Sequence, residues 1–255
     1  MMVGMVVALL AVLGGEGWGV MAAYDPYLPL VVKVTGGCEA IPGAQYRSLD
    51  VDGPATSRPA EDHADLNLAL RGYEVTDAYR GLGIIEGGAD DPQAPQLCTL
   101  FADRRTPDFA RVYQVHKWDW GCNCRGGLMT DPHATLAAWK VAPGEVLYLP
   151  DSGYDIGGGY EALVLYASEE RITLKYTLED DVVSGYTIHV EDVCVEPSLL
   201  ALYRAWDEAG RGELPALLGG QPFGRALGTE IRVAIRDNGS FLDPRSRRDW
   251  WQVRP

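Results

Sequence analysis

The stretch Gly228–Arg245, "GTEIRVAIRDNGSFLDPR", carries the pattern that decides the fold. Ile231, Val233 and Ile235 alternate with Glu230 and Arg232, the period of two of a strand that buries one face. Asn238 and Gly239 follow, and both accept positive φ, so the pair predicts a two-residue hairpin turn and a second short strand. Working outward, the same texture recurs in "RVYQVHKWDW", "ATLAAWKV", "EVLYLP", "EALVLYA", "RITLKYT" and "GYTIHVEDVCVE", short apolar runs separated by Gly, Pro, Asp and Asn. Many short strands so punctuated predict a mainly β body, a sandwich or barrel. Pro143 and Gly144 mark a further turn, Pro by presetting φ and Gly by relaxing it. One helix interrupts the pattern, predicted over Ser198–Ala209, with Ser198 as cap, Leu199, Leu202, Tyr203 and Trp206 at helical spacing, and Gly210 closing the end.

Composition narrows the partners. The chain has 255 residues, 47% of them hydrophobic, enough for a substantial core, and a formal net charge of -14. That balance argues against nucleic acid, whose backbone is gripped by clustered Lys and Arg. Val3–Leu13 is an apolar run of signal-peptide length followed by small residues, although no Lys or Arg precedes it. It is short for a bilayer span, so no membrane span is expected in the mature chain. The organisation read from these textures is a leader over residues 1–23, an extended arm or linker over 24–65, a β-rich segment over 66–140 and a β domain over 141–255.

The stretch "HKWDWGCNCRGG" collects reactive and aromatic side chains. Cys122 and Cys124 on a strand would stand about 6.8 Å apart, too far for an easy mutual disulfide, so each is expected to meet Cys98 or Cys194. The alternative is a zinc site of His116, Cys122 and Cys124, although the paired Cys-x-x-Cys spacing is absent. Disulfides suit an exported chain. Trp118 and Trp120 share a strand face and are either core or a platform on which the C–H faces of sugar rings stack.

Three segments, "SGYDIGGGYEALVLYASEERITLKY", "GYTIHVEDV" and "LPALLGGQPFGRALGTEIRVAIRDNGSFLDP", together resemble in their order the lysostaphin/LytM-type zinc endopeptidases that cut peptidoglycan cross-bridges. The likeness covers Pro143–Pro244. It implies a β-sandwich or barrel-sandwich hybrid with a groove holding Asp151, Asp155, Tyr186, His189, Glu230 and Arg232. Gly153 and Asp155 match the family's first motif, but Asp151 stands where a ligand histidine belongs. His189 matches the middle catalytic histidine. Glu230 and Arg232 replace the two histidines of the last strand.

Guanidinium has no lone pair to offer a metal and stays protonated, so Arg232 cannot take a ligand's role. One expectation is that Arg232 replaces the metal, its donors reaching Asp155 and either Asp151 or Glu230. The other is that Glu230 and Arg232 decorate the solvent face of an edge strand. On the first reading the chain is an exported binding or scaffolding protein of the cell envelope, without metal or cofactor, and its partner is a cell-wall glycan, a peptide or another envelope protein. The competing reading is an active envelope hydrolase using His189 with Asp155 and Glu230. A carboxylate pair drawn from Asp151, Asp155, Glu161 and Glu230 would serve glycan hydrolysis.

Overall fold

A computed structural model describes residues 38–85 and 91–252. The expected leader, and the arm as far as residue 37, lie outside the described residues. Fourteen strands are described: β1 (Arg47–Asp50), β2 (Tyr73–Val75), β3 (Phe109–Asp119), β4 (Cys124–Leu128), β5 (Leu136–Lys140), β6 (Val146–Tyr148), β7 (Tyr160–Ala167), β8 (Arg171–Lys175), β9 (Tyr186–Glu191), β10 (Val193–Val195), β11 (Glu213–Leu218), β12 (Pro222–Ala226), β13 (Glu230–Asp237) and β14 (Ser240–Leu242). Three short or medium helices accompany them: α1 (Leu68–Arg71), α2 (Pro197–Glu208) and α3 (Arg247–Trp250). The protein is mainly β, as its alternation predicts.

Eleven strands join one sheet in the order β1-β11-β7-β8-β9-β13-β5-β3-β2, with β14 added on β13 and β4 on β3. The other three form a small sheet, β10-β12-β6. Every named strand pair is antiparallel. The hairpin forms at Asn238 and Gly239, with φ of 45° and 82°, the left-handed conformation that both residues accept. Pro143 and Gly144 also form a turn, closed by Glu145 N–H donating to the Ala142 carbonyl at 3.0 Å, but the strands it joins enter different sheets.

β13 is not an edge strand. Its first half pairs with β5, its last residues pair with β14, and Arg232–Asp237 pair with β9. Ile231, Val233 and Ile235 are fully buried in the main apolar cluster beside Ile188, Val190, Leu174 and Trp139. Buried residues of the small sheet, Leu147, Val195 and Phe223 among them, belong to the same cluster, so both sheets share one core. The opposite face of β8, β9 and β13 presents Thr173, Lys175, Thr187, His189, Glu191, Arg232 and Arg236, and it too is covered.

The cover comes from the end of the segment expected to be a loose arm and from the residues that follow it. Residues 47–50 pair with β11, and Ala60–Asp62 form a 3-10 turn ahead of α1, whose Asn67 side chain caps it by accepting from Ala69 N–H at 3.3 Å. Leu66 lies across the sheet, its carbonyl accepting from the Thr173 hydroxyl at 2.6 Å. Leu68 packs with Ala138, Ala234 and Phe241 in a second, smaller cluster. The described residues belong to one compact unit.

The helix of the sequence pattern is α2, and Leu199, Leu200 and Tyr203 are its buried stripe. Its cap is Glu196 rather than Ser198: the carboxylate accepts from the backbone N–H groups of Ser198 and Leu199 at 2.7 and 3.0 Å. A carboxylate at a helix N-terminus also gains from the helix dipole. Gly210 follows with φ of 96°, the conformation that ends the helix. Near the C-terminus Arg245 is buried in a two-pronged pair with Asp243 at 2.8 and 2.6 Å, and Trp251 packs edge-on against Trp139 at 5.0 Å.

Candidate functional site

The groove positions implied by the sequence likeness do not meet. Asp155 caps its own turn, accepting from Gly157 and Gly159 N–H at 2.8 and 3.1 Å. Asp151 pairs with Arg104 at 3.1 Å, and Glu161 accepts from Ser152 N–H and hydroxyl. Burial raises the Asp151 and Glu161 carboxyls above their ordinary range, and their mutual charge adds to Glu161's rise. Tyr186 lies on the core face, edge-on to Trp250 at 5.7 Å.

His189 is on the other face and sealed, with no exposed surface. Its ring stacks on Phe241, and its Nδ1 sits 3.0 Å from the Thr173 hydroxyl. That hydroxyl spends its one proton on the Leu66 carbonyl, so it accepts from Nδ1–H. Nε2 is therefore the bare nitrogen, and it is buried without a partner among the described residues. Burial, then the Arg236 charge, hold the imidazole neutral, well below its ordinary value. No substrate in solution touches it.

Arg232 does join an ion-pair network, with partners other than those expected. It meets Asp192 at 3.1 Å, donates to the Tyr73 hydroxyl, and lies over the Tyr73 ring at 5.4 Å. Burial lifts the Asp192 carboxyl, and the Arg232 charge opposes that lift. Glu230 and Arg232 share a shallow depression with Asp192 and Arg111, while Asp151 and Asp155 are not among its residues. The zinc set is also dissolved. Cys122 and Cys124 form a disulfide, and His116 Nδ1 is 2.8 Å from the Gly126 carbonyl.

The disulfides differ from the expected pairing. Cys38 joins Cys194, and Cys98 is free and buried. Cys122 is in the turn before β4 rather than on a strand, and Asn123, at φ of 51°, bends the chain until the two Cα atoms are 5.2 Å apart. That separation lies within bridging range.

A cavity of about 550 Å³ is walled by Trp120, Arg58, His63, Glu179, Asp181 and Val183. Trp120 stands at the tip of the β3–β4 hairpin with 43% of its surface exposed, so it is not core. Trp118, half-buried, braces it edge-on at 6.4 Å. The Arg58 guanidinium lies over the Trp120 ring at 5.2 Å and donates to Asn123 Oδ1, while the His63 ring tilts against Trp120 at 5.2 Å. A cation over an indole face is attracted by the ring's electron density.

The opposite wall is anchored from below. Asp180 takes a two-pronged pair from buried Arg211 at 2.7 and 2.7 Å, and its Oδ2 accepts from Thr56 N–H at 3.0 Å. Burial alone would lower the Arg211 guanidinium, but its bonds to Asp180 overcome this and raise it. One carboxylate thus ties the 52–58 loop, the 179–183 loop and the end of α2 together. Glu179 Oε2 is buried without a hydrogen-bond partner among the described residues. Behind Asp181 lies Lys175, fully buried, which burial pushes down to about 8.

Of the residues singled out in the sequence, Trp120 alone lines this cavity. The others come from "DVDGPATSRPAED" with the His63–Leu66 stretch after it, and from "TLEDDVVSG". The first reads as linker because it lacks any period, and the second as an acidic turn between strands. Their only signal is the density of turn-forming and charged residues, which every surface loop shares.

No family model matches the chain, and neither the curated proteins nor the solved structures contain a match to it.

Proposed function

We propose that this protein is a non-catalytic carbohydrate-binding protein of the cell envelope or extracellular space, and that its ligand enters the Trp120 cavity. The observation that carries the reading is the exposed indole of Trp120 walling a cavity whose opposite side bears carboxylates. A sugar ring offers an apolar C–H face to an indole and hydroxyl groups to carboxylates and guanidinium, and this wall pairs the two kinds of surface. The volume lies in the ordinary range for small-ligand sites. Arg58 orients the indole and leaves donors for a ring oxygen or hydroxyl. The two disulfides are consistent with an oxidising compartment, where a cell-wall glycan is accessible.

Titration calorimetry with soluble peptidoglycan fragments and with neutral oligosaccharides tests the proposal. Binding of one of them, weakened at least about tenfold by Trp120→Ala, supports it. Absence of binding at millimolar glycan, or binding indifferent to Trp120→Ala, overturns it.

A further inference from the structure

The Cys122–Cys124 disulfide has none of the work of a staple. In the chain-entropy account, a crosslink stabilises by restricting the unfolded chain, and the gain grows with the loop it closes. Cys38–Cys194 spans a sequence separation of 156, whereas Cys122–Cys124 encloses Asn123 alone. The hairpin beneath it is already closed by ladder pairing of Asp119 with Cys124 and of Trp118 with Arg125. Asn123 is further held by Arg58 and by Trp118 Nε1–H at 3.3 Å. Both cysteines are exposed, in contrast to the half-buried Cys38 and Cys194 and the buried Cys98.

We infer that Cys122–Cys124 is a thiol–disulfide exchange site, with a peptide dithiol as its reacting partner. Exposed disulfides that carry no structural burden are the ones open to thiolate attack. A thiolate of the peptide attacks one sulfur along the S–S axis. A mixed disulfide forms, and the other sulfur leaves as a thiolate. The peptide's second thiolate then attacks the mixed disulfide and expels the first cysteine. The peptide is oxidised to a disulfide, and Cys122 and Cys124 are reduced to two thiols, two electrons and two protons having moved. Trp118, which reaches Asn123 through its Nε1–H, and Trp120, packed edge-on against it, give an apolar surface on the same hairpin for the peptide's flanking side chains. Arg58, bonded to Asn123 between the two cysteines, favours the leaving thiolate, while Asp119 opposes it. Buried Cys98, whose thiol burial raises, stays outside the exchange. This site does not depend on a sugar occupying the cavity.

The test is equilibration of the native protein in graded dithiol/disulfide buffers, followed by alkylation and mass mapping. Cys122 and Cys124 are expected to open at a reductant ratio at least about tenfold lower than Cys38 and Cys194, with Cys98 unlabelled. A reduced model peptide bearing two cysteines is expected to be oxidised with a stoichiometry of one per protein. The Cys122→Ser/Cys124→Ser variant is expected to keep the wild-type melting temperature and to lose this oxidation. Opening of both bonds together, failure to oxidise the peptide, or a variant that unfolds would each overturn the inference.

Discussion

The two faces of the β8–β9–β13 region solve the same burial problem with opposite chemistry. On one face Leu174, Ile188, Val190, Val233 and Ile235 meet other apolar side chains, and removal from water suffices to hold them. On the other face Asp65 lies between Arg71, at 2.6 Å, and Arg236, at 2.8 Å, with Phe241 beneath both guanidiniums. Burial would raise the Asp65 carboxyl, but Arg236 and Arg71 overcome it and hold it below the usual carboxylate range. Further guanidinium N–H groups donate to carbonyls, from Arg71 to Ala64 and His116 and from Arg236 to Gly239. Removing one apolar side chain costs its own packing, whereas removing a carboxylate shared by two buried guanidiniums leaves both uncompensated.

The largest expected effect is therefore Asp65→Ala, which leaves two buried guanidiniums unpaired and costs about 3–5 kcal/mol in denaturant unfolding. Replacing the whole triad, Asp65→Leu with Arg71→Met and Arg236→Met, is expected to recover most of that loss. If the triple variant is no better than Asp65→Ala, the charged face is not held by the pairing described. On the apolar face Ile188→Ala is expected to cost about 2–5 kcal/mol, through lost burial and the space left behind.

A smaller effect separates the faces by pH. A histidine kept neutral in the folded state binds its proton only in the unfolded chain. Its contribution is intact above about 6.5 and is lost as pH falls below that value, by about 1.4 kcal/mol per unit. His63, lowered mainly by burial, acts with the same sign. The difference in slope between wild type and His189→Gln, measured by unfolding at pH 7.5 and 5.5, isolates the sealed ring. Equal slopes would place His189 in contact with water. The smallest effect is Thr187→Val. The Thr187 hydroxyl is buried without a partner among the described residues, so its removal is expected to leave stability unchanged or raise it by about 1 kcal/mol.

The apolar face was legible in the sequence because alternation fixes which side chains share a side: Ile231, Val233 and Ile235 turn inward as their spacing requires. The Asn238–Gly239 turn and α2 were legible for similarly local reasons. What covers the second face was not. The alternation puts Thr187, His189 and Glu191 opposite Ile188 and Val190 but does not say whether that side meets water or other residues, and the cover comes from residues 60–71, more than 100 positions away. β11 was hidden by Pro215, which removes a ladder donor and argues against a strand, yet the strand forms between β1 and β7. Of the candidate site, Trp120 could be found and its companions could not, because a cavity is made by loops from three parts of the chain.

Cys38 is bonded to Cys194 on β10, and most of the large sheet is threaded between them. A protease that cuts once in any loop of that interval therefore releases nothing: the two fragments stay joined through sulfur. They separate on a denaturing gel only when a reductant is present, and until then the nicked molecule migrates as a single species.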